Sequence, residues 1–131
     1  MCGIVGIIGN DTTMRSPQEP MLSALARRGP DDRGFLICSQ GFLGQTRLSI
    51  IDLSSGHQPM RDNIHDLIIS FNGEIYNYRA LRTELERKGH RFSTQSDTEV
   101  ILKTYIEYGS NCVSHLDGMF AFAIWDEEKQ Q

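Results

Sequence analysis

The chain has 131 residues, with 13 basic side chains against 17 acidic ones and a formal net charge of −4. That length suits one domain, spanning residues 1–131, that buries about two thirds of its extended-chain surface and needs no covalent staples. Cys2, Cys38 and Cys112 form no CxxC pair, which argues against a disulfide framework or a zinc site, and the lack of a basic stripe argues against a nucleic-acid partner.

The opening MCGIVGIIG places a cysteine where chains usually fray. Residues 2 to 9 are β-branched and glycine-rich, too short for a helix, and read as a buried strand. The run has no positive n-region and only about eight apolar or glycine residues, so it is neither a signal peptide nor a membrane span. Unpaired thiols fit a reducing cytoplasm.

Ser16-Pro17-Gln18-Glu19 has the form of a helix start, with Met21, Leu22, Leu25 and Ala26 at helical spacing and Gly29-Pro30 as the stop. Gly34–Ser39 and Phe42–Ile51 read as two strands about a Gln40-Gly41 turn, and Asp52–Met60 as loop. Leu67–Phe71 is an apolar strand ending at Asn72-Gly73. Asn77 is placed to cap a helix through Leu85 that Gly89 closes, and Ser96-Asp97-Thr98-Glu99 forms a capping box for a helix ending at Gly109. Met119–Trp125 is a final strand. Hairpin signals without regular βαβ alternation give an α+β class.

Cys2 follows the initiator methionine, and removal of Met1 would leave a thiol and an α-amine on one residue. The amine, with pKa about 7.7–8.0, is partly neutral near pH 7 and can accept the proton of a thiol of pKa about 8.5. Such a pair suits attack on an amide carbonyl. By position alone, Cys2 reads first as a packed or incidental small hydrophobe. Asn-Gly is the strongest two-residue hairpin signal, yet an asparagine amide beside an unshielded glycine N–H is also the donor pair of an oxyanion hole. Arg47 could fork onto a substrate carboxylate or be an exposed strand arginine; Asp97 could bind an ammonium group or complement a helix dipole. Cys38, Cys112 and the four histidines show no catalytic or metal-ligand spacing.

Six blocks in order, MCGIVGIIG, RRGPDDRGF, RLSIIDLSSGHQPM, FNGEIYNYRALR, SDTEVIL and LDGMFAFAIWD, resemble the glutamine amidotransferase domain that begins glutamine-hydrolysing asparagine synthetases. That family belongs to the N-terminal-nucleophile hydrolases. The resemblance implies a four-layer αββα sandwich of antiparallel sheets, expected here in a form truncated at its C-terminal end. It makes Cys2 the nucleophile and Asn72 and Gly73 the oxyanion hole. Arg47 becomes the grip on the glutamine α-carboxylate, Leu48, Ser49, Ile50 and Ile51 line the site, and Glu74 and Asp97 hold the α-amino group. The implied reaction forms a γ-glutamyl thioester from L-glutamine, releasing ammonia and then glutamate. No cofactor is expected in this domain; ATP, Mg2+ and aspartate would belong to an absent synthetase domain, the implied partner. A homodimer is left open. Arg27 and Gln45 stand where many relatives carry histidine, outside the expected catalytic set. The competing expectations are a noncatalytic glutamine- or partner-binding module, and a relative that amidates another carboxylate or a sugar acid.

Overall fold

In the computed structural model, which describes residues 2–9, 18–48 and 57–131, the opening run forms strand β1 (Gly3–Ile8). Helix α1 (Gln18–Ala24) follows, shorter than its apolar spacing suggests, with a turn carrying the chain through Arg28. The expected cap at Ser16-Pro17 lies outside the described residues, as do Ser49, Ile50 and Ile51. Strands β2 (Asp32–Cys38) and β3 (Gly41–Arg47) make the expected hairpin, but it turns at Ser39-Gln40 rather than Gln40-Gly41, because Gly41 is already in the ladder opposite Cys38. β3 is the centre of a sheet ordered β1-β3-β2, antiparallel throughout, with Gly3 opposite Thr46 and Asp32 opposite Arg47.

A short strand β4 (Met60–Asp62), for which the sequence carries no signal, pairs with β5 (Leu67–Ile75). β5 also pairs with the last strand, β6 (Gly118–Asp126), giving a second antiparallel sheet ordered β4-β5-β6. Here the sequence expectation needs correction. Asn72 and Gly73 do not end the strand; they sit inside it, opposite Ala121 and Phe120. The turn reading of Asn72-Gly73 therefore fails, because a hairpin turn and a ladder position are mutually exclusive.

Helix α2 (Tyr78–Arg87) buries Leu81 and Leu85 and ends at Gly89, whose φ of +97° is cheap only for glycine. Asn77 precedes it but makes no side-chain cap. Its amide instead donates to the His115 carbonyl (2.9 Å) and accepts from the Asp117 N–H (3.0 Å), fixing the entry to β6. Helix α3 (Asp97–Tyr108) is capped by Ser96, which accepts from the Glu99 N–H at 3.3 Å. Only half of the capping box forms, since the Glu99 carboxylate turns to Ser93 and Thr94. A 3-10 segment (Gly109–His115) then leads to β6.

The two sheets lie face to face, β3 and β1 against β5, with α1 outside the first sheet and α3, backed by α2, outside the second. This is the αββα order. Leu67, Ile69, Phe71 and Ile75 pack toward α3 with Ile101 and Leu102, while Ile68 and Trp125 face the other way, onto Leu43 and Cys38. Period-two alternation along β5 thus feeds both the helix layer and the space between the sheets. Among the described residues no helix is long and apolar enough to cross a membrane.

Candidate active site

At one end of the intersheet space the packing opens into a cavity of about 450 Å³. Cys2, Arg47, Leu48, Asn72, Gly73, Glu74 and Asp97 line it together. Each arrives by strand alternation or helix position. Gln45 and Arg47 lie on the β3 face that looks across to β5, because Thr46 between them bonds the Leu25 carbonyl of the α1 turn on the opposite face. Arg47 is 6% exposed, which removes the reading of a solvated strand arginine. Cys2 leads into β1 directly beside the end of β3; its sulfur accepts the Leu48 N–H at 3.4 Å, and its carbonyl accepts from Arg28 Nε at 3.2 Å. Cys2 is held by these contacts and by the β1 ladder that follows it. Met1 lies outside the described residues.

The strand β5 supplies the opposite wall. The N–H and carbonyl of Phe71 point away from β6: the N–H donates to Gln58 Oε1 (2.8 Å) and the carbonyl accepts from Gln45 Nε2 (2.7 Å). Four residues on, the Ile75 N–H points the same way and donates to Asp97 Oδ2 (3.2 Å). Alternation places the Gly73 N–H between them on the same edge, toward the cavity. Residue 73 has φ +150°, and a Cβ there would meet the Met119 carbonyl oxygen and approach Phe120 Cα to 2.6 Å. Only glycine brings its N–H to this place. Asn72, with the parity of Ser70 and Ile68, presents its side chain on the intersheet face, where Ser70 already bonds the Gly44 carbonyl at 2.9 Å.

Asp97 is the first residue of α3 and is buried. Burial raises its carboxyl above the ordinary aspartate range, hydrogen bonds from the Ile75 and Thr98 N–H groups only partly offsetting this, and the nearby Glu74 carboxylate pushes it further up. Among the described residues it has no ion pair.

The remaining lining groups, Gln58, Phe71, Ser96, Thr98 and the β6 residues Met119, Phe120 and Ala121, were not singled out from the sequence. Ser96 and Thr98 flank Asp97 and follow from its helix position. Gln58 and the β6 residues depend on strand register, which no local pattern reveals. Cys38 and Cys112 are buried away from the cavity, their thiols raised by burial, and all three cysteines are free thiols.

The model of the glutamine amidotransferase domain family matches residues 1–131. The chain is 44% identical over 132 residues to glutamine-hydrolyzing asparagine synthetase 1 of Bacillus subtilis, covering 97% of this chain and 21% of the relative. It is 40% identical over 136 residues to glutamine-hydrolyzing asparagine synthetase 3 of the same organism, covering 98% and 22%. The chain therefore spans about a fifth of the length of these curated relatives. Among solved structures, the glutamine phosphoribosylpyrophosphate amidotransferase of B. subtilis superposes with a TM-score of 0.75 at 24% identity, over 97% of this chain and 35% of that one. That likeness carries the fold.

Proposed function

The chain belongs to the glutamine amidotransferase domain family, and from that premise we propose that its cavity hydrolyses the side-chain amide of L-glutamine through a Cys2 thioester. The observation that carries this reading is the convergence on one cavity of a chain-start thiol, an Asn-Gly donor pair, a buried arginine and a buried carboxylate. Those groups match the chemistry of the substrate one for one. Arg47 pairs with the α-carboxylate, and Asp97, assisted by Glu74, takes the α-ammonium group. The substrate's amide end is then directed at Cys2, so that attack is intramolecular in character.

With Met1 removed, the Cys2 α-amine takes the thiol proton and the sulfur bonds to the amide carbon. The carbonyl oxygen becomes an oxyanion between the Asn72 side-chain amide and the Gly73 N–H. The protonated amine gives its proton to the departing nitrogen, the C–N bond breaks, and ammonia leaves a γ-glutamyl thioester. Water, deprotonated by the same amine, then attacks; the C–S bond breaks, glutamate departs and the thiol is restored. Leu48 presents its N–H to the sulfur and helps to keep it aimed; Ser49, Ile50 and Ile51 continue the same segment in this reading. Amide hydrolysis uses only groups of this chain and water. The ammonia would serve asparagine synthesis, with ATP, Mg2+ and aspartate handled by the synthetase part of a longer chain, in a reducing cytoplasm that suits three free thiols.

Glutamate release by the protein and by Cys2→Ala tests the reading, with intact mass measured alongside. The expected result is a mass lacking Met1 and a variant with essentially no release. Equal rates, or active protein that fully retains Met1, would sink the mechanism.

A further inference from the structure

We infer that Gln58 is a positioning residue that sets the span between the oxyanion donors and the ammonium-binding carboxylate; the inference rests on the glutaminase reading above. β4 pairs with β5 only as far as Met60 opposite Ile69. Extending that register by two residues would bring Gln58 opposite Phe71, but the chain has already turned away at Pro59, and the Gln58 side chain makes the bond that its backbone does not. Its Oε1 accepts the Phe71 N–H at 2.8 Å, and its Nε2 donates to Thr98 Oγ1 at 2.9 Å.

Those two partners belong to the two halves of the site. Phe71 immediately precedes Asn72 and Gly73, and Thr98 immediately follows Asp97. The N-terminus of α3 is consequently tied to the open edge of β5 at two points, one on each side of the Gly73 N–H: by Asp97 to Ile75, and by Gln58 from Thr98 to Phe71. The later turns of α3 are already packed on the sheet through Ile101, Leu102 and Lys103; the two ties fix the helix start on either side of Gly73, and with it how far Asp97 stands from the oxyanion donors. A substrate pinned by its amino group reaches the thiol only when that span equals its own length, and a misplacement of about 1 Å costs about 100-fold in rate. Phe71 and Thr98 are buried residues on the cavity wall; a cavity water can take up a freed N–H or hydroxyl there, but it does not fix their separation as the Gln58 amide does.

The test uses Gln58→Leu, which loses both bonds, and Thr98→Val, which loses only the helix end. Glutamine turnover is measured on the full chain, together with inhibition by L-glutamate and by glutarate, which lacks the amino group. Gln58→Leu is expected to lower kcat/KM by about 100-fold. Both variants are expected to shrink the preference for L-glutamate over glutarate by about tenfold, the scale of one hydrogen bond to a charged group. A merely structural role would lower Tm and weaken both inhibitors alike. Parent-like preference in the two variants overturns the inference, and if Gln58→Leu does not fold, Thr98→Val decides by the same ratio. Cys2-dependent turnover with an unchanged ratio defeats this inference alone, whereas a parent without Cys2-dependent turnover defeats the glutaminase reading and this inference with it.

Discussion

The two facing strands β3 and β5 close the intersheet space at one end and open it at the other, and the change can be followed residue by residue. Along β3 the inward positions run Leu43, Gln45, Arg47; along β5 they run Ile68, Ser70, Asn72. Each series passes from apolar, through a polar group bonded to the opposing sheet's backbone, to a group that faces the cavity. At the closed end Leu43, Ile68, Trp125 and Cys38 exclude water. The charge near that end, Asp62 opposite Leu67, is neutralised by Lys103 of α3 and accepts from the N–H groups of Ile64 and His65. At the open end the buried carboxylate, Asp97, has no ion pair among the described residues. One end has its buried charge compensated within the chain; the other leaves a buried carboxylate without a cation among the described residues, at a cost to stability.

The sharpest way to break this contrast is at the open end. Asn72→Ala should lower kcat for glutamine hydrolysis by about 100- to 1,000-fold, the usual cost of one oxyanion donor, with a Tm close to the parent's; a large fall in Tm with kcat retained would make Asn72 a packing residue. At the closed end the effect should be reversed in kind. Lys103→Met leaves the Asp62 carboxylate buried without its cation and should cost about 3 kcal/mol of stability, seen in denaturant unfolding, while KM for glutamine stays near the parent value.

The same pair predicts a pH window. Burial alone would raise the Asp62 carboxyl, but the hydrogen bonds from Lys103 and His65 outweigh it and hold the group at about 2, against an ordinary value of 3.8. A depressed folded-state pKa means that the stabilisation is present above pH 3.8 and is lost as the pH falls toward about 2. Thermal unfolding across that interval should be steeper for the parent than for Lys103→Met; parallel curves would show that the pair contributes nothing.

Ile68→Ala removes a fully buried side chain between the sheets and should cost about 2–4 kcal/mol, without altering turnover per folded molecule. A changed KM would mean that the two ends are mechanically coupled. The smallest effect is expected from Asp97→Asn. Its folded-state pKa, raised by burial, makes the ionised form a cost, absent below the unfolded value and complete above the folded one, so the neutral amide should stabilise the ligand-free protein slightly at pH 7. The same variant should raise KM for glutamine. Stabilisation without loss of affinity would remove Asp97 from the ammonium site.

Much of this architecture is legible where the signal is local. The capping serine at Ser96 and the closing Gly89 act within a few residues of themselves, and the β2–β3 hairpin is signalled by its turn residues to within one position. Cys2, Arg47, Asn72, Gly73 and Asp97 could be named from motif order, although each alone had an ordinary explanation. Asn72-Gly73 shows why: the same dipeptide is a turn when its neighbours hairpin and a stretch of strand on the cavity wall when β6 arrives beside it. The bonds made by Gln58 and Gln45 could not be read from the sequence because their partners lie far along the chain, 13 and 40 residues away for Gln58 and 26 for Gln45.

By itself the sequence determined most of the elements, though not β4 or the full length of β5, and the chemical kinds of side chain, since periodicity, caps and glycine conformations are properties of a few adjacent residues. The tertiary structure alone decided which end of the intersheet space closes, that Arg47 is buried, and that the Gly73 N–H faces the cavity between two braces. Those outcomes depend on strand register and on what the opposing sheet presents, and a strand's alternation states which side chains share a face without stating what they will meet.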